Sequence, residues 1–581
     1  MRKRAKVLSV ILAAAMTILT GCAQVNLNID EGDAGKNNVK ESHVYSIEKK
    51  TMPLYLASPE DKIDIEMIFL DGVNDVPYVS VETAVDILLA VMESPDIPDY
   101  SVSLKEDGET VTLERDSGYP ARIVFDEDYI EFWDYDGFFR ETDDDLLIDN
   151  VDFSYFSRGG KPRFLKVMDS FERYGVPVTV NAGDYGIDLV HQDDGYYIPL
   201  HLLSDVFLAP YDGGIIFNGS AAYLIGGGNY SQYDDLFYNE DYPKQRSSEL
   251  AEFNYNEFCL AMDLLYGLKD QHNITTFDDL YMETGLKEAM LSRDPVESTQ
   301  ALYESVNVYL DDLHSGFTKS IYVENKELEE KRATSLYTND LDNKRFSSAR
   351  AEYYPDDVPG YEEVGNTAYI TFDEFLFEGV DYYNEDAKDH LDDTMGLMIY
   401  SFEQITRENS PVENVVLDLS NNFGGAIRSA AYVIGMFIGE GSISIRNNVS
   451  NALVTENFVA DLNLDGEFDD NDTLRGKYNL ICLTSPLSFS CGNLVPSVLK
   501  NSHEVITMGQ TSGGGTCVVQ HLTTADGCII QMSGPKLMSY TKNGSFYEID
   551  RGVEPDYVIP TAKQFYDRKT LTDQINSLLG N

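Results

Sequence analysis

The chain has 581 residues, too many for one hydrophobic core, so several domains are expected. Its 99 acidic against 43 basic residues give a formal charge of −56, a field that repels nucleic acid and anionic lipid surfaces and argues against both as partners. Five cysteines follow Cys22, namely Cys259, Cys482, Cys491, Cys517 and Cys528; an odd number argues against a full disulfide framework, and a Cys517–Cys528 bridge stays open.

The N-terminus carries Arg2, Lys3, Arg4 and Lys6, followed by an apolar run over 7–18 that is too short to span a bilayer comfortably. Leu19-Thr20-Gly21-Cys22 then resembles a bacterial lipobox, which implies that Cys22 is diacylated and becomes the mature N-terminus. An ordinary secretory signal or a short anchor is the other reading, and either one exports the chain. Residues 23–43, rich in Asn, Asp, Gly and Lys, read as a tether.

Residues 44–240 are β-rich with turns. Two phrases echo each other there, Val76-Pro77-Tyr78-Val79-Ser80-Val81 and Tyr196-Tyr197-Ile198-Pro199-Leu200. Each follows an Asp-Gly turn and precedes an apolar helical run. The repeat resembles the copper amine oxidase N-terminal-like domain, which implies a stalk or docking module. No metal-ligand cluster in the sequence accompanies it.

From 247 to 320 the pattern turns helical. Asp294-Pro295 is a strong helix start, with Asp at the N-cap and Pro at N1. Leu302, Val306, Tyr309, Leu310 and Leu313 then mark one face, and the spacing predicts a helix running to His314-Ser315-Gly316. Residues 321–360 are charged and read as a linker. Over 361–565, strands at 367–372, 415–419, 478–483 and 505–508 alternate with helices at 390–407, 426–437 and 491–499. That alternation predicts an α/β core (α+β overall), preceded by the helical subdomain and closed by a C-terminal helix at 566–581.

Three Gly- or Ser-containing turns follow core strands: Ser420-Asn421-Asn422-Phe423-Gly424-Gly425, then Ser488-Phe489-Ser490-Cys491-Gly492-Asn493, then 509–515 with Gly513-Gly514-Gly515. Ser490 at a strand-to-helix junction has two readings. It is an N-cap, or it is a nucleophile whose oxyanion is stabilised by free N–H groups. Gly-Gly at a neighbouring turn presents backbone N–H groups without side-chain obstruction. Phosphate-binding patterns are absent, since neither GxxxxGK[ST] nor GxGxxG spacing occurs at these turns.

Together with Asp312-Leu313-His314-Ser315 and Gly552-Val553-Glu554-Pro555-Asp556, these motifs resemble, in order, the tail-specific or C-terminal-processing serine peptidases, and more closely their tricorn-core branch. The resemblance spans about 250–565. It implies a Clp protease/crotonase-like core with Ser490 as nucleophile and an oxyanion hole from the N–H groups of Cys491 and Gly424, with Gly425 as the neighbouring candidate. One family branch uses a Lys from the 509–515 segment, which has none here. The other uses His, and His314 matches that base. The orienting acid falls before the GVxPD motif, where Asp550 is preferred and Glu548 is the alternative; the family's usual spacing lands on Ile549. Ser420 stands where the family has Arg. A Cys491 nucleophile is the weaker alternative, since a buried Cys commonly serves as a small hydrophobe.

A separate signal is Asp461-x-Asn463-x-Asp465-Gly466-Glu467-x-Asp469-x-x-Asp472. Acids or amides at positions 1, 3, 5, 9 and 12, with Gly at 6, match calcium loops of the EF-hand and dockerin type. An acidic turn is the other reading. A structural calcium is the one cofactor expected, with none needed for catalysis. The expected whole is an exported, lipid-anchored serine endopeptidase acting on protein or peptide substrate, and touching the membrane through its anchor alone. A catalytically silent binder on the same fold, or a hydrolase of another acyl bond, stands as the alternative.

Overall fold

The computed structural model describes residues 43–92, 101–115, 118–140, 164–226, 233 and 245–580; the signal segment, Cys22 and nearly all of the tether lie outside them. The strand–helix alternation after residue 360 builds a six-stranded sheet. Tyr361–Val364 pairs antiparallel with Thr367–Thr371, and Asn414–Asp418, Asn479–Thr484, Val505–Gly509 and Tyr557–Val558 then run parallel. The four strands between the two edges are largely buried on both faces because both faces are covered. Val415, Leu417, Leu480 and Cys482 enter a core beneath helices Thr394–Thr406, Ile427–Ile438 and Cys491–Ser502. Val416, Ile481 and Leu483 enter a second core on the opposite face, beneath Thr334–Tyr353 and Arg568–Leu579. The observed architecture is α/β.

The charged stretch expected as a linker contains the 20-residue helix Thr334–Tyr353. It has almost no apolar periodicity because Phe346 and Ala349 alone are buried, so its face is set by the sheet it covers rather than by its own sequence. The helix from Asp294 starts as expected, its carboxylate accepting from the Val296 N–H at 3.0 Å with Pro295 at N1. It does not run on to Gly316. It widens into a π-turn at Ser305–Tyr309, Asp311 takes φ +47°, and Gly316 instead opens the strand Gly316–Ser320. The Asp312 carboxylate accepts from the His314 N–H at 3.0 Å and the Ser315 hydroxyl at 2.6 Å, a local network that competes with the helix.

A second sheet pairs Gly316–Ser320 with Cys528–Ser539, then Gly441–Asn447, Leu453–Ala460 and Leu165–Arg173, with Cys517–Thr523 on Cys528–Ser539. Cys517 and Cys528 are separate buried thiols, so the open disulfide is not formed. Further toward the N-terminus lie a seven-stranded sheet and a five-stranded sheet. The two echoing phrases are neighbours there: Tyr197 pairs with Ser80, Ile198 with Val79 and Pro199 with Tyr78, antiparallel. Among the described residues no helix is long and apolar enough to cross a membrane.

Candidate active site

Three turns meet at the C-terminal edge of the parallel sheet. The strand Asn479–Thr484 feeds a tight turn in which the Ser488 hydroxyl accepts from Ser485 N–H and donates to the Leu419 carbonyl. Ser490 follows at φ +56°, ψ −122°, a conformation that a non-glycine residue rarely adopts. Its carbonyl accepts from the Asn493 and Leu494 N–H groups, while its side chain caps nothing. The hydroxyl is therefore not spent on the helix, which removes the N-cap reading. The strained backbone is held from both sides, by Ser490 N–H to the Gly514 carbonyl at 2.9 Å and Gly513 N–H to the Ser488 carbonyl at 2.8 Å.

The Gly-Gly turn lies directly against Ser490. A Cβ on Gly424, at φ +108°, would stand 2.6 Å from Ser490 Cβ and 3.0 Å from its Oγ. A Cβ on Gly425, at φ +126°, would stand 2.4 Å from the Phe375 carbonyl oxygen. Both positions need glycine for backbone conformation and for space. Asn422 sets this turn: its Oδ1 accepts from Gly424 N–H at 3.0 Å, its Nδ2 donates to the Phe372 carbonyl, and its carbonyl accepts from Phe489 N–H. Gly424 N–H thus already has an acceptor. The N–H groups of Gly425 and of Cys491, the first helical residue, make no hydrogen bond among the described residues. The Cys491 thiol donates to the Gly425 carbonyl at 3.2 Å, and burial pushes its pKa up to about 12, so it is a thiol and not a thiolate at neutral pH.

His314 reaches this site from the other sheet. Its ring packs on the Phe489 ring, centroids 4.5 Å apart, one residue before Ser490. It is 7% exposed, and its Nδ1 is buried without a partner. Burial holds its pKa below the usual imidazole value, opposed by the nearby Asp312 carboxylate. No hydrogen bond joins His314 to Ser490, to Asp550 or to Glu548 among the described residues. Asp550 is mostly buried and accepts from the Thr516 N–H at 3.2 Å; burial raises its pKa. Glu548 faces solvent and pairs with Arg446 at 2.7 Å. The family-spacing residue Ile549 is in the core, where its carbonyl accepts from Asn493 Nδ2.

The GVxPD segment closes the arrangement. Ser512 bridges it to the helix Cys491–Ser502, donating its hydroxyl to Asn493 Oδ1 and accepting from Val553 N–H, both at 2.7 Å. Asp556 accepts from Thr507 N–H and Oγ1 and pairs with Lys500. Asp418, just before the Gly-Gly turn, makes a buried ion pair with Arg568 at 2.7 Å. Sequence reasoning assigned no role to Asn422, Asp418, Asp312 or Phe489. Asn422, Asp312 and Phe489 stand inside quoted motifs, and the roles of all four rest on partners distant in the chain or on backbone geometry.

The acidic loop sits away from this edge, between Leu453–Ala460 and the next helix turn. Asp461 is fully buried: its Oδ2 accepts from Tyr383 hydroxyl at 2.6 Å and Gly466 N–H at 2.9 Å, and its Oδ1 has no hydrogen-bond partner. Asn463 accepts from Asp465 N–H, Asp465 from Glu467 N–H, Asp469 from Asn471 N–H, and Asp472 from the N–H groups of Leu462, Asn463 and Asp469. The Glu467 carboxylate makes no hydrogen bond among the described residues.

Residues 366–559 match the model of peptidase family S41. The match covers 194 of the 581 residues. The enzyme is of the serine type, and the matched segment holds Ser490, the Gly-Gly turn and Asp550, while His314 precedes it. Among solved structures, the chain is similar to a putative peptidase from Parabacteroides merdae, at 17% identity, covering 57% of this chain and 96% of that one with a TM-score of 0.40. It is similar to a lipoprotein from Streptococcus agalactiae, at 16% identity over 58% of this chain and 99% of that one, TM-score 0.33. A photosystem II D1 C-terminal processing protease matches at 16% identity over 33% of this chain and 42% of that one, TM-score 0.25.

Proposed function

We propose that this S41 domain is a serine endopeptidase that cleaves protein or peptide substrate through an acyl-enzyme on Ser490. The observation that carries the reading is the Ser490 turn, a strained serine whose hydroxyl caps no helix and lies against Gly424 of an obligatory Gly-Gly turn. Ser490 Oγ attacks the peptide carbonyl, His314 takes its proton and passes it to the leaving amine, and water then hydrolyses the ester. Cys491 N–H and Gly425 N–H receive the oxyanion, with Gly424 contributing if its N–H is shared with Asn422. Asp550 orients His314 once substrate closes the site, with Glu548 as the alternative; catalytic hydrogen bonds in ligand-free sites are often long. The parallel sheet and its flanking helices support a Clp protease/crotonase-like core. The lipobox-like segment supports export and anchoring to a bacterial membrane through Cys22. The acidic loop supports a structural calcium, since Asp461 Oδ1 and the Glu467 carboxylate are left for a ligand.

One observation favours a second reading. The lack of a His314–Ser490 hydrogen bond is what a catalytically silent peptide-binding member would show. Labelling with a fluorophosphonate probe separates the two. Wild type and Cys491→Ala are expected to label, and Ser490→Ala and His314→Ala are not. Labelling that survives in Ser490→Ala would sink the mechanism, and an unlabelled, folded wild type would favour the silent reading.

A further inference from the structure

Three titratable side chains that the proposed mechanism does not use meet in the interior of the N-terminal half. His201 and Asp205 lie one turn apart, on Leu200–Leu203 and the π-turn Ser204–Leu208, and Glu257 comes from the helix Ser248–Leu265. They are 7%, 1% and 0% exposed. His201 Nε2 stands 3.8 Å from Asp205 Oδ1 and 3.6 Å from Glu257 Oε2, and one ligand atom from each residue lies within 4.8 Å of the other two. All four carboxylate oxygens are buried without a hydrogen-bond donor among the described residues. His201 is the one basic group within ion-pair distance of either acid, again among the described residues.

Two carboxylates in contact and away from water are expensive unless something neutralises them. A proton shared between them leaves at least two of the four oxygens unpaired. A divalent cation cancels both charges, engages both acids and takes the lone pair of a neutral imidazole. Metal–ligand distances of about 2.0–2.2 Å give ligand–ligand edges of roughly 3–3.5 Å, so the two gaps from His201 Nε2 need to close by only a few tenths of an ångström. The Thr523 carbonyl oxygen accepts a hydrogen bond from His201 Nε2 at 2.9 Å, and a cation that displaces this proton meets the carbonyl as a fourth donor. One imidazole, two carboxylates and a carbonyl form a set for a first-row divalent ion rather than for calcium, and a dry four-donor cage suits zinc.

We infer that His201, Asp205 and Glu257, with the Thr523 carbonyl, form a structural zinc site that clamps the helix Ser248–Leu265 and the His201 turn to the strand Cys517–Thr523. That strand follows the 509–515 loop and Thr516, whose N–H holds Asp550. The clamp therefore ties the N-terminal region to the sheet behind the active site, and its loss should lower stability more than it alters chemistry.

The test uses the full chain, stripped of metal and then supplied with Zn2+ alone, Co2+ alone or Ca2+ alone. Metal analysis after dialysis, melting temperature and the visible spectrum of the Co2+ form are read for wild type, Glu257→Gln, Asp205→Asn and His201→Asn. One zinc per wild-type chain, a higher melting temperature with Zn2+, and a Co2+ spectrum that weakens sharply in His201→Asn are expected. Each variant should lose most bound zinc while keeping its far-ultraviolet circular dichroism. Equal zinc in wild type and Glu257→Gln would overturn the proposal. So would a Glu257→Gln chain more stable than wild type in the presence of Zn2+, which would mark a proton-sharing acid pair instead. If Glu257→Gln fails to fold, the absence of a Zn2+-dependent rise in the wild-type melting temperature overturns it equally.

Discussion

Replacing Gly424 by Ala tests whether the Gly-Gly turn is a catalytic part or only a bend. The added Cβ would stand 2.6 Å from Ser490 Cβ and 3.0 Å from the Phe489 carbonyl oxygen. Carbon atoms prefer about 3.5 Å or more, so Ser490 or the turn must move by roughly 0.9 Å. A misplacement of about 1 Å at a reacting group costs on the order of 10²-fold in rate. The φ of +108° adds backbone strain of order 1–3 kcal/mol to the folded state. Gly544→Ala is the control, at φ +75° with nothing within 4 Å of its Cβ, so it carries the strain without the collision. Fluorophosphonate labelling rate and peptide hydrolysis are measured beside melting temperature. Gly424→Ala should label at least ~10²-fold more slowly than Gly544→Ala at similar loss of stability. Equal labelling rates in the two variants would refute the placement of Gly424 against the nucleophile.

Four further outcomes are expected. Because burial holds the His314 pKa below 6.5, activity should be full at neutral pH and fall only as pH drops through that lower value; a limb centred above 6.5 contradicts the burial argument. Asp550→Asn should lower kcat/KM by roughly 10²-fold or more while Glu548→Gln changes little, and the reverse order would move the orienting role. Asp418→Ala removes one of the two carboxylate partners of Arg568, Glu362 remaining at 3.3 Å, and should cost about 1.5–3 kcal/mol in denaturant unfolding; a cost below ~0.5 kcal/mol would show that the pair is not buried in solution. A calcium chelator should lower the melting temperature of wild type and not of Asp461→Ala, and an unchanged wild-type melt rules out a structural calcium.

The parts of the site that were legible in the sequence are those with a local cause. Ser490 was visible because an apolar strand ends in a Ser/Pro turn before a helix, and the glycines because their turns need φ values that other residues resist. Parallel strands read as continuous apolar runs because both of their faces are covered. The helix Thr334–Tyr353 was not legible, since Phe346 and Ala349 are too few to print a period. The end of the Asp294 helix was misplaced because the Asp312 side chain, and not Gly316, diverts the backbone.

By itself, then, the sequence determined the local conformations: which runs become strands, where the chain must turn, and which serine stands at the strained junction. Tertiary structure decided the partnerships. It laid the His314 ring on Phe489, spent Gly424 N–H on Asn422, matched Asp418 with Arg568, and brought Glu257 to His201 and Asp205. All but the Gly424–Asn422 contact join residues through space at separations that no period or motif encodes. Which hydrogen bond or charge is satisfied in a buried place depends on what the rest of the chain packs beside it.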